Sequence, residues 1–385
     1  MKVVIAIDSL KGSLTSYEAG EAVKEGILKA VDAEVIVKPL ADGGEGTTEA
    51  LVVGLGGEMI AVDVMGPLRH KTKAVYGYVP ETKLAIIEMA AAAGIVLAEG
   101  EGKDPMEATT YGVGEMIRDA IARGCRNFIV GIGGSATNDG GIGMLTALGF
   151  AFFDSEGGRV GFGAKDLAKI AAISTEYVMP ELKECHFKVA CDVTNPLCGT
   201  NGATYVYGPQ KGVTEDLRDE LDSAMAHYAE ITGKYLHNEH AETPGAGAAG
   251  GLGFAFLSYL AGELQPGIEL VMDAVNLENC MQDADYVVTG EGRLDFQTAM
   301  GKAPVGVAKL AKKYGATVIA LAGSVTDEAV TCNEKGIDAF FPILTKIVSL
   351  QEAMEQQTAR QNMVKTAEQV FRLIAAVETK FTEME

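Results

Sequence analysis

The residues able to do chemistry fall into a few short, glycine-rich segments. In Asp8-Ser-Leu-Lys-Gly-Ser-Leu-Thr-Ser16, two serines and Lys11 stand between an apolar run and a helical stretch. Helix N-terminal amides with such side chains suit an anion, although an N-cap box beside a solvated lysine accounts for the same residues. In Ala41-Asp-Gly-Gly-Glu-Gly-Thr47, Asp42 and Glu45 could hold a metal, accept a proton from a hydroxyl, or simply cap a tight turn. Gly131-Ile-Gly-Gly-Ser-Ala-Thr-Asn-Asp-Gly-Gly-Ile-Gly143 offers backbone amides for phosphates through Gly131, Gly133, Gly134 and Ser135, with Asp139 as a candidate magnesium ligand. Ala190-Cys-Asp-Val-Thr-Asn-Pro-Leu-Cys-Gly199, followed by Tyr207-Gly-Pro-Gln-Lys-Gly212, puts Asp192 and Asn195 where they could bind magnesium or a hydroxyl, or form a plain turn. Thr289-Gly-Glu-Gly-Arg-Leu-Asp-Phe-Gln-Thr298 adds Arg293, a planar fork for carboxylate or phosphate, between the acids Glu291 and Asp295. An internal Arg–Asp ion pair is the plainer reading of that last segment.

Other chemistries find little support. Positions 131–136 match the G-x-G-x-x-A dinucleotide pattern, so a dehydrogenase of a small hydroxy acid binding NAD is the alternative. Asn138-Asp-Gly-Gly would interrupt the helix that pattern requires, and the literal G-x-G-x-x-G at Gly245–Gly250 follows a polar segment rather than a strand. There is no Walker A lysine motif, no nucleophile elbow, and His237-x-x-His240 has no further ligand pattern. Glycine-lined anion sites, a few acids and isolated cations without covalent machinery suit phosphoryl transfer. Its loose transition state asks mainly for positioning and charge stabilisation.

These segments need elements to hold them. Val3–Ile7, the helical stretch Ser16–Ala30 and the run Glu34–Lys38 form a strand–helix–strand unit, which implies parallel strands. The last third repeats the rhythm: short strands at Tyr286–Thr289, Thr317–Ala322 and Ala339–Pro342 alternate with helices near Pro304–Tyr314 and Thr326–Lys335. A long helix over Ser349–Lys380 closes the chain. Between them, Met59–Val64, Thr72–Val79 and Leu84–Glu88 read as a meander, followed by a helix near Met106–Arg123 and a strand at Phe128–Val130. The expected architecture is an α/β domain assembled from residues 1–60 and 262–385, with a second α/β domain, residues 61–261, inserted.

Composition narrows the partners. The 385 residues carry 32 Lys plus Arg against 53 Asp plus Glu, a net charge of −21, which disfavours nucleic acid and anionic membranes. Glycine numbers 47, roughly 12% against an average near 7%, and its clustering marks backbone-lined loops. The six cysteines lack paired zinc spacing and read as reduced, mostly buried thiols. Val3–Ile7 is too short for a signal peptide, and the uncharged stretch Thr243–Gly262 contains six glycines and a proline, so no membrane span is expected. The cytoplasm is the expected compartment.

Taken together, these motifs resemble the bacterial glycerate kinase family, the type I, two-domain group unrelated to P-loop or actin-like kinases. The resemblance runs from Asp8-Ser-Leu-Lys-Gly-Ser-Leu through Ala41-Asp-Gly-Gly-Glu-Gly-Thr, Gly133-Gly-Ser-Ala-Thr-Asn-Asp-Gly-Gly and Cys191-Asp-Val-Thr-Asn-Pro-Leu-Cys-Gly to Thr289-Gly-Glu-Gly-Arg-Leu-Asp, with Leu10 where phenylalanine is common. It implies a flavodoxin-like parallel-sheet domain with a second α/β domain inserted, and magnesium-dependent transfer of the ATP γ-phosphoryl group to D-glycerate. The product is 2-phosphoglycerate in many members, and 3-phosphoglycerate stays open. On that basis the active site is expected in a cleft between the domains. Lys11 and Arg293 would bind the glycerate carboxylate or the moving phosphoryl group, and Asp192 or Asp42 would accept the hydroxyl proton. Asp139, Glu291 and Asp295 would hold Mg²⁺, and the Gly131–Ser135 loop would cover phosphates. D-Glycerate and ATP are the implied partners; homo-oligomerisation is left open.

Overall fold

In the computed structural model, which describes residues 1–99 and 102–382, the chain divides into two compact units. One comprises Met1–Asp42, Val53–Leu55 and Ile268–Glu385, the other Gly43–Val52 and Gly56–Gly267. The first crossing thus falls just after Asp42.

The discontinuous unit is built on a five-stranded sheet. Its order is Ala339–Pro342, Thr317–Val325, Tyr286–Leu294, Lys2–Ile7, Glu34–Val37, and every neighbouring pair is parallel. Numbered along this unit the order is 2-1-3-4-5, the flavodoxin-like winding. The first strand lies inside the sheet, with Val4 in register with Val287 on one side and Ile36 on the other. Val3, Val4, Ile5 and Ala6 are fully buried, as the unbroken apolar run of a parallel strand covered on both faces requires.

Helix Ser16–Ala30 starts where expected because Thr15 and Glu18 close a capping box: the Thr15 hydroxyl accepts the Glu18 N–H, and the Glu18 carboxylate accepts the Thr15 N–H. Its buried face, Ala19, Ala22, Val23 and Ile27, shares a core with Met363, Val364, Ala367 and Phe371 of the C-terminal helix. Gly26 permits the approach, since a Cβ there would stand 2.4 Å from the Val364 carbonyl oxygen. Ile27 is fully buried, so Ile27→Ala should cost about 2–5 kcal/mol.

The inserted unit holds a six-stranded sheet ordered Glu263–Gln265, His186–Ala190, Asn127–Gly131, Leu84–Glu88, Lys71–Val79, Glu58–Met65. The first four strands are parallel; the expected meander supplies the antiparallel edge.

Several expected elements change at their ends. The helix expected from Met106 begins at Tyr111, because Asp104–Thr110 spend their groups elsewhere. Asp104 accepts the N–H groups of Met106 and Glu107, and the Thr110 N–H donates to Asp139. The single C-terminal helix is two, Leu350–Met354 and Gln356–Thr382, parted by non-helical backbone at Glu355. Asp327–Lys335 winds as 3₁₀ rather than α. In Ala248–Leu260 the backbone of Ala249, Gly250 and Gly251 is left-handed, so the glycine loop runs into the helix itself. All six cysteines are free, with Cys125, Cys185 and Cys332 buried. Among the described residues no helix is long and apolar enough to cross a membrane.

Candidate functional site

In a 2-1-3-4-5 sheet, the carboxyl ends of the first and third strands diverge and leave a crevice. Here those ends are Asp8, just beyond Ile7, and Gly290–Leu294 of the neighbouring strand. A cavity of about 370 Å³ opens at this point. Asp8, Lys11, Ser13, Asp42, Glu291, Arg293, Asp295, Lys302 and Ser324 bring polar groups to it, and Leu10, Leu350 and Met354 line an apolar part.

The loop after the first strand is shaped by local bonds. Asp8 donates its N–H to the Gly290 carbonyl at 2.9 Å, and its carboxylate accepts the Ser9 N–H at 2.6 Å. Leu10 and Leu14 pair across a turn in which Gly12 takes φ +75°. That turn leaves Lys11 exposed and Ser13 inward, and the Ser13 hydroxyl is buried with no hydrogen-bond partner among the described residues. An orphaned hydroxyl in the wall of a cavity is a group waiting for a ligand or an ordered water.

The acids of this cavity crowd one another. Burial, and then the charge of Asp42, push the Asp8 carboxyl up to about 7, against the pull of the Ser9 N–H and Lys11. Burial also raises Glu291, partly offset by its bond from the Thr298 hydroxyl at 2.5 Å and by Lys302. Asp295 caps the short helix Phe296–Ala299, accepting the N–H of Gln297 at 2.9 Å and of Thr298 at 3.3 Å. Arg293 is exposed. Of the expected site residues, Lys11, Asp42, Glu291, Arg293 and Asp295 therefore share one cavity.

The others belong to the inserted unit, at the carboxyl edge of its own sheet. Glu88, Gly131 and Ala190 end three adjacent parallel strands. The Gly43–Thr48 loop packs against these ends, and only glycine fits there. A Cβ on Gly131 would stand 2.7 Å from the Gly43 carbonyl oxygen, and one on Gly43 would stand 2.9 Å from both the Ala190 Cβ and the Gly267 Cα. Gly133 and Gly134 are exposed, whereas Ser135 turns inward and accepts the Thr137 N–H at 3.1 Å. Asp192 is exposed, with its Oδ1 accepting the Gly267 N–H at 2.9 Å.

Asp139 departs from its expected role. It is fully buried, and its carboxylate accepts the N–H groups of Thr110, Gly141 and Gly143 at 2.7, 3.1 and 3.3 Å and the Thr110 hydroxyl at 2.8 Å. Burial raises its pKa against those donors. A carboxylate enclosed by donors pins the loop to the start of helix Tyr111–Ala122 and offers a cation no approach. The dinucleotide reading of 131–136 fails for the reason its sequence suggests: the next helix begins only at Ile142.

Three residues without an assigned role in the sequence reading emerge here. Asp8 and Lys302 stood inside or beside quoted motifs, and their positions at or near strand ends were the available signal. Glu88 was legible only as the end of a strand. Its carboxylate accepts the Thr48 N–H at 2.7 Å, and burial, with Glu45 nearby, raises its pKa.

The family profile described as "Glycerate kinase family" matches residues 3–375. The "Glycerate 2-kinase" of Escherichia coli K12 is 48% identical over 354 residues, covering 92% of this chain and 93% of the relative. The "Glycerate kinase" of Bacillus subtilis is 44% identical over 382 residues, 99% of this chain and 100% of the relative. A crystal structure assigned to glycerate kinase 2 of Salmonella typhimurium LT2 superposes with a TM-score of 0.91 at 43% identity, covering 98% of this chain and 99% of that one.

Proposed function

The chain belongs to the glycerate kinase family, and from that premise we propose that it transfers the γ-phosphoryl group of ATP to the 2-hydroxyl of D-glycerate, giving 2-phosphoglycerate and ADP. The carrying observation is the cavity at the switch point of the discontinuous unit, where Lys11, Arg293 and Lys302 meet Asp8, Asp42 and Glu291. Glycerate is a small anion with two hydroxyls, so a site for it needs cations for the carboxylate and an acceptor for one hydroxyl proton.

In this reading Lys11 and Arg293 take the carboxylate, with Arg293 able to grip both oxygens. Asp42 accepts the proton as the hydroxyl oxygen attacks phosphorus and the bond to the ADP oxygen breaks. Asp42 lines the same cavity as Lys11 and Arg293, the cations that would hold the carboxylate beside the reacting hydroxyl. Asp192, exposed at a strand end of the inserted unit, is the second candidate base. The exposed backbone of Gly133 and Gly134 meets phosphate oxygens.

Magnesium in such enzymes relies on one or two carboxylates and on the substrate's own phosphates. Among the described residues no group of three or more His, Cys, Asp or Glu encloses one point, so a bare protein cage is not the fit. Glu291 and Asp295, acids lining a cavity already crowded with negative charge, do fit the more open arrangement and would hold the ion. Bound there, it would neutralise charge on the transferring phosphate. The preference for the 2-hydroxyl is supported by the name of the Escherichia coli relative.

The test is ³¹P NMR of the purified protein with D-glycerate, ATP and magnesium. A phosphomonoester signal should grow as ATP is lost, split as a doublet by the single C2 proton. A triplet would move the reaction to the 3-hydroxyl, and unchanged ATP with folded protein would overturn the proposal.

A further inference from the structure

Lys211 is 2% exposed in the inserted unit and has no part in the reaction scheme above. It ends the 3₁₀ turn Pro209–Lys211, followed by Gly212 at φ +98°. Its ammonium donates to the Thr137 carbonyl at 2.6 Å and to the Ser135 hydroxyl at 3.4 Å. That hydroxyl also meets Thr137 Oγ1 at 3.0 Å and accepts the Thr137 N–H. The buried cation thus binds the first inward turn of the glycine-rich loop, directly after the exposed pair Gly133–Gly134.

The arrangement is expensive for a mere clamp. Burial depresses the ammonium to about 7, and the nearby charge of Asp139 recovers only part of this while the Asp139 carboxylate itself is occupied by Thr110, Gly141 and Gly143. Removing an ion from water costs several kcal/mol, and a neutral donor could make the same two bonds. An amine poised there near 7 is held in its charged form when an anion arrives at the loop.

We infer that Lys211 is a positioning residue for the triphosphate of the nucleotide: it sets the Ser135–Thr137 turn and places a positive charge under the Gly133–Gly134 backbone that faces the phosphates. This rests on the reading of that loop as a phosphate site. Lys211 touches no substrate, so its effect should fall on nucleotide affinity and leave glycerate affinity alone.

The test uses the full-length protein and two measurements. In the unmodified enzyme, inorganic tripolyphosphate should slow amide hydrogen exchange of residues 133–137. No protection there would remove both the loop reading and the inference. Steady-state kinetics of Lys211→Gln, Lys211→Met and Lys211→Arg come next. Lys211→Gln and Lys211→Met should raise the KM for ATP at least tenfold with the KM for D-glycerate within threefold, and Lys211→Arg should recover part of the loss. If the loop is protected in the unmodified enzyme while Lys211→Gln binds ATP normally, the inference falls and the loop reading stands. If both KM values rise together, Lys211 only supports the fold and the inference falls as well.

Discussion

The carboxylate of Glu88, the last residue of a parallel strand, accepts the N–H of Thr48 in the first turn of helix Thr47–Leu55. The bond fastens the Gly43–Thr48 loop to the strand ends of the inserted unit. Glu88→Ala leaves a buried N–H unpaired, at a cost of about 1–3 kcal/mol. Amide exchange across residues 44–52 should quicken roughly five- to a hundredfold, while exchange in the strand Lys2–Ile7 stays unchanged.

Arg293 is exposed in the cavity wall, and Arg293→Ala should fold normally. A charge-assisted bond to a carboxylate contributes about 1.5–3 kcal/mol, so kcat/KM for D-glycerate should fall roughly ten- to a hundredfold. Circular dichroism and melting should match the parent. Activity within twofold of the parent would take Arg293 out of the substrate site.

The proton acceptor is tested by a pair of isosteric changes. Asp42→Asn should lower kcat by about 10²–10⁴, the usual range for a lost general base. Asp192→Asn should have a milder effect. The reverse ranking would transfer the role to Asp192.

Asp8 links pH to stability with an unusual sign. Its carboxyl is raised from 3.8 to about 7 in the folded chain, so between those values the folded state holds a proton that the unfolded state has released. Stability from this group is therefore present in acid and is lost as pH climbs from about 4 through 7. Asp8→Asn removes the dependence. Urea unfolding without substrates should show the variant gaining on the parent by a few kcal/mol between pH 4.5 and 8.

Asp139 serves to separate anchoring from metal binding. Asp139→Ala strands several buried donors, so the inserted unit should lose about 3 kcal/mol or more. Calorimetric titration with magnesium and ATP, performed below the new melting point, should give an unchanged affinity for the ion. Loss of magnesium binding in a folded variant would restore Asp139 to the metal site.

Much of this organisation could be read from residue order. The run Val3–Ile7, the Thr15–Glu18 capping box and the spacing of Ala19, Ala22, Val23 and Ile27 specify their elements locally, and the structure has them there. The meander was equally plain from its alternation. What escaped depends on contacts distant in sequence. Asp139 is a candidate metal ligand by its place in a glycine-rich loop, and only the fold brings Thr110 to it. Lys211, inside Tyr207-Gly-Pro-Gln-Lys-Gly212, is set apart only by its burial and its bonds to Ser135 and Thr137. Asp8 needed its burial, and then the neighbouring charge of Asp42, to stand out as a titrating group. The break at Glu355 has no proline or glycine to announce it.

The strand Lys2–Ile7 pairs with Tyr286–Gly290 at a separation of more than 280 residues. On the ribosome, at about 5–20 residues per second, it waits some tens of seconds for that partner. The inserted unit, complete by Gly267, is free to fold in the interval. During it, the apolar strand Val3–Ile7 has one of its two hydrogen-bonding edges open to other nascent chains. Biogenesis is thus the stage at which this molecule is most exposed to aggregation, and limiting chaperone supply should deplete its yield before any loss of stability is measurable in the finished protein.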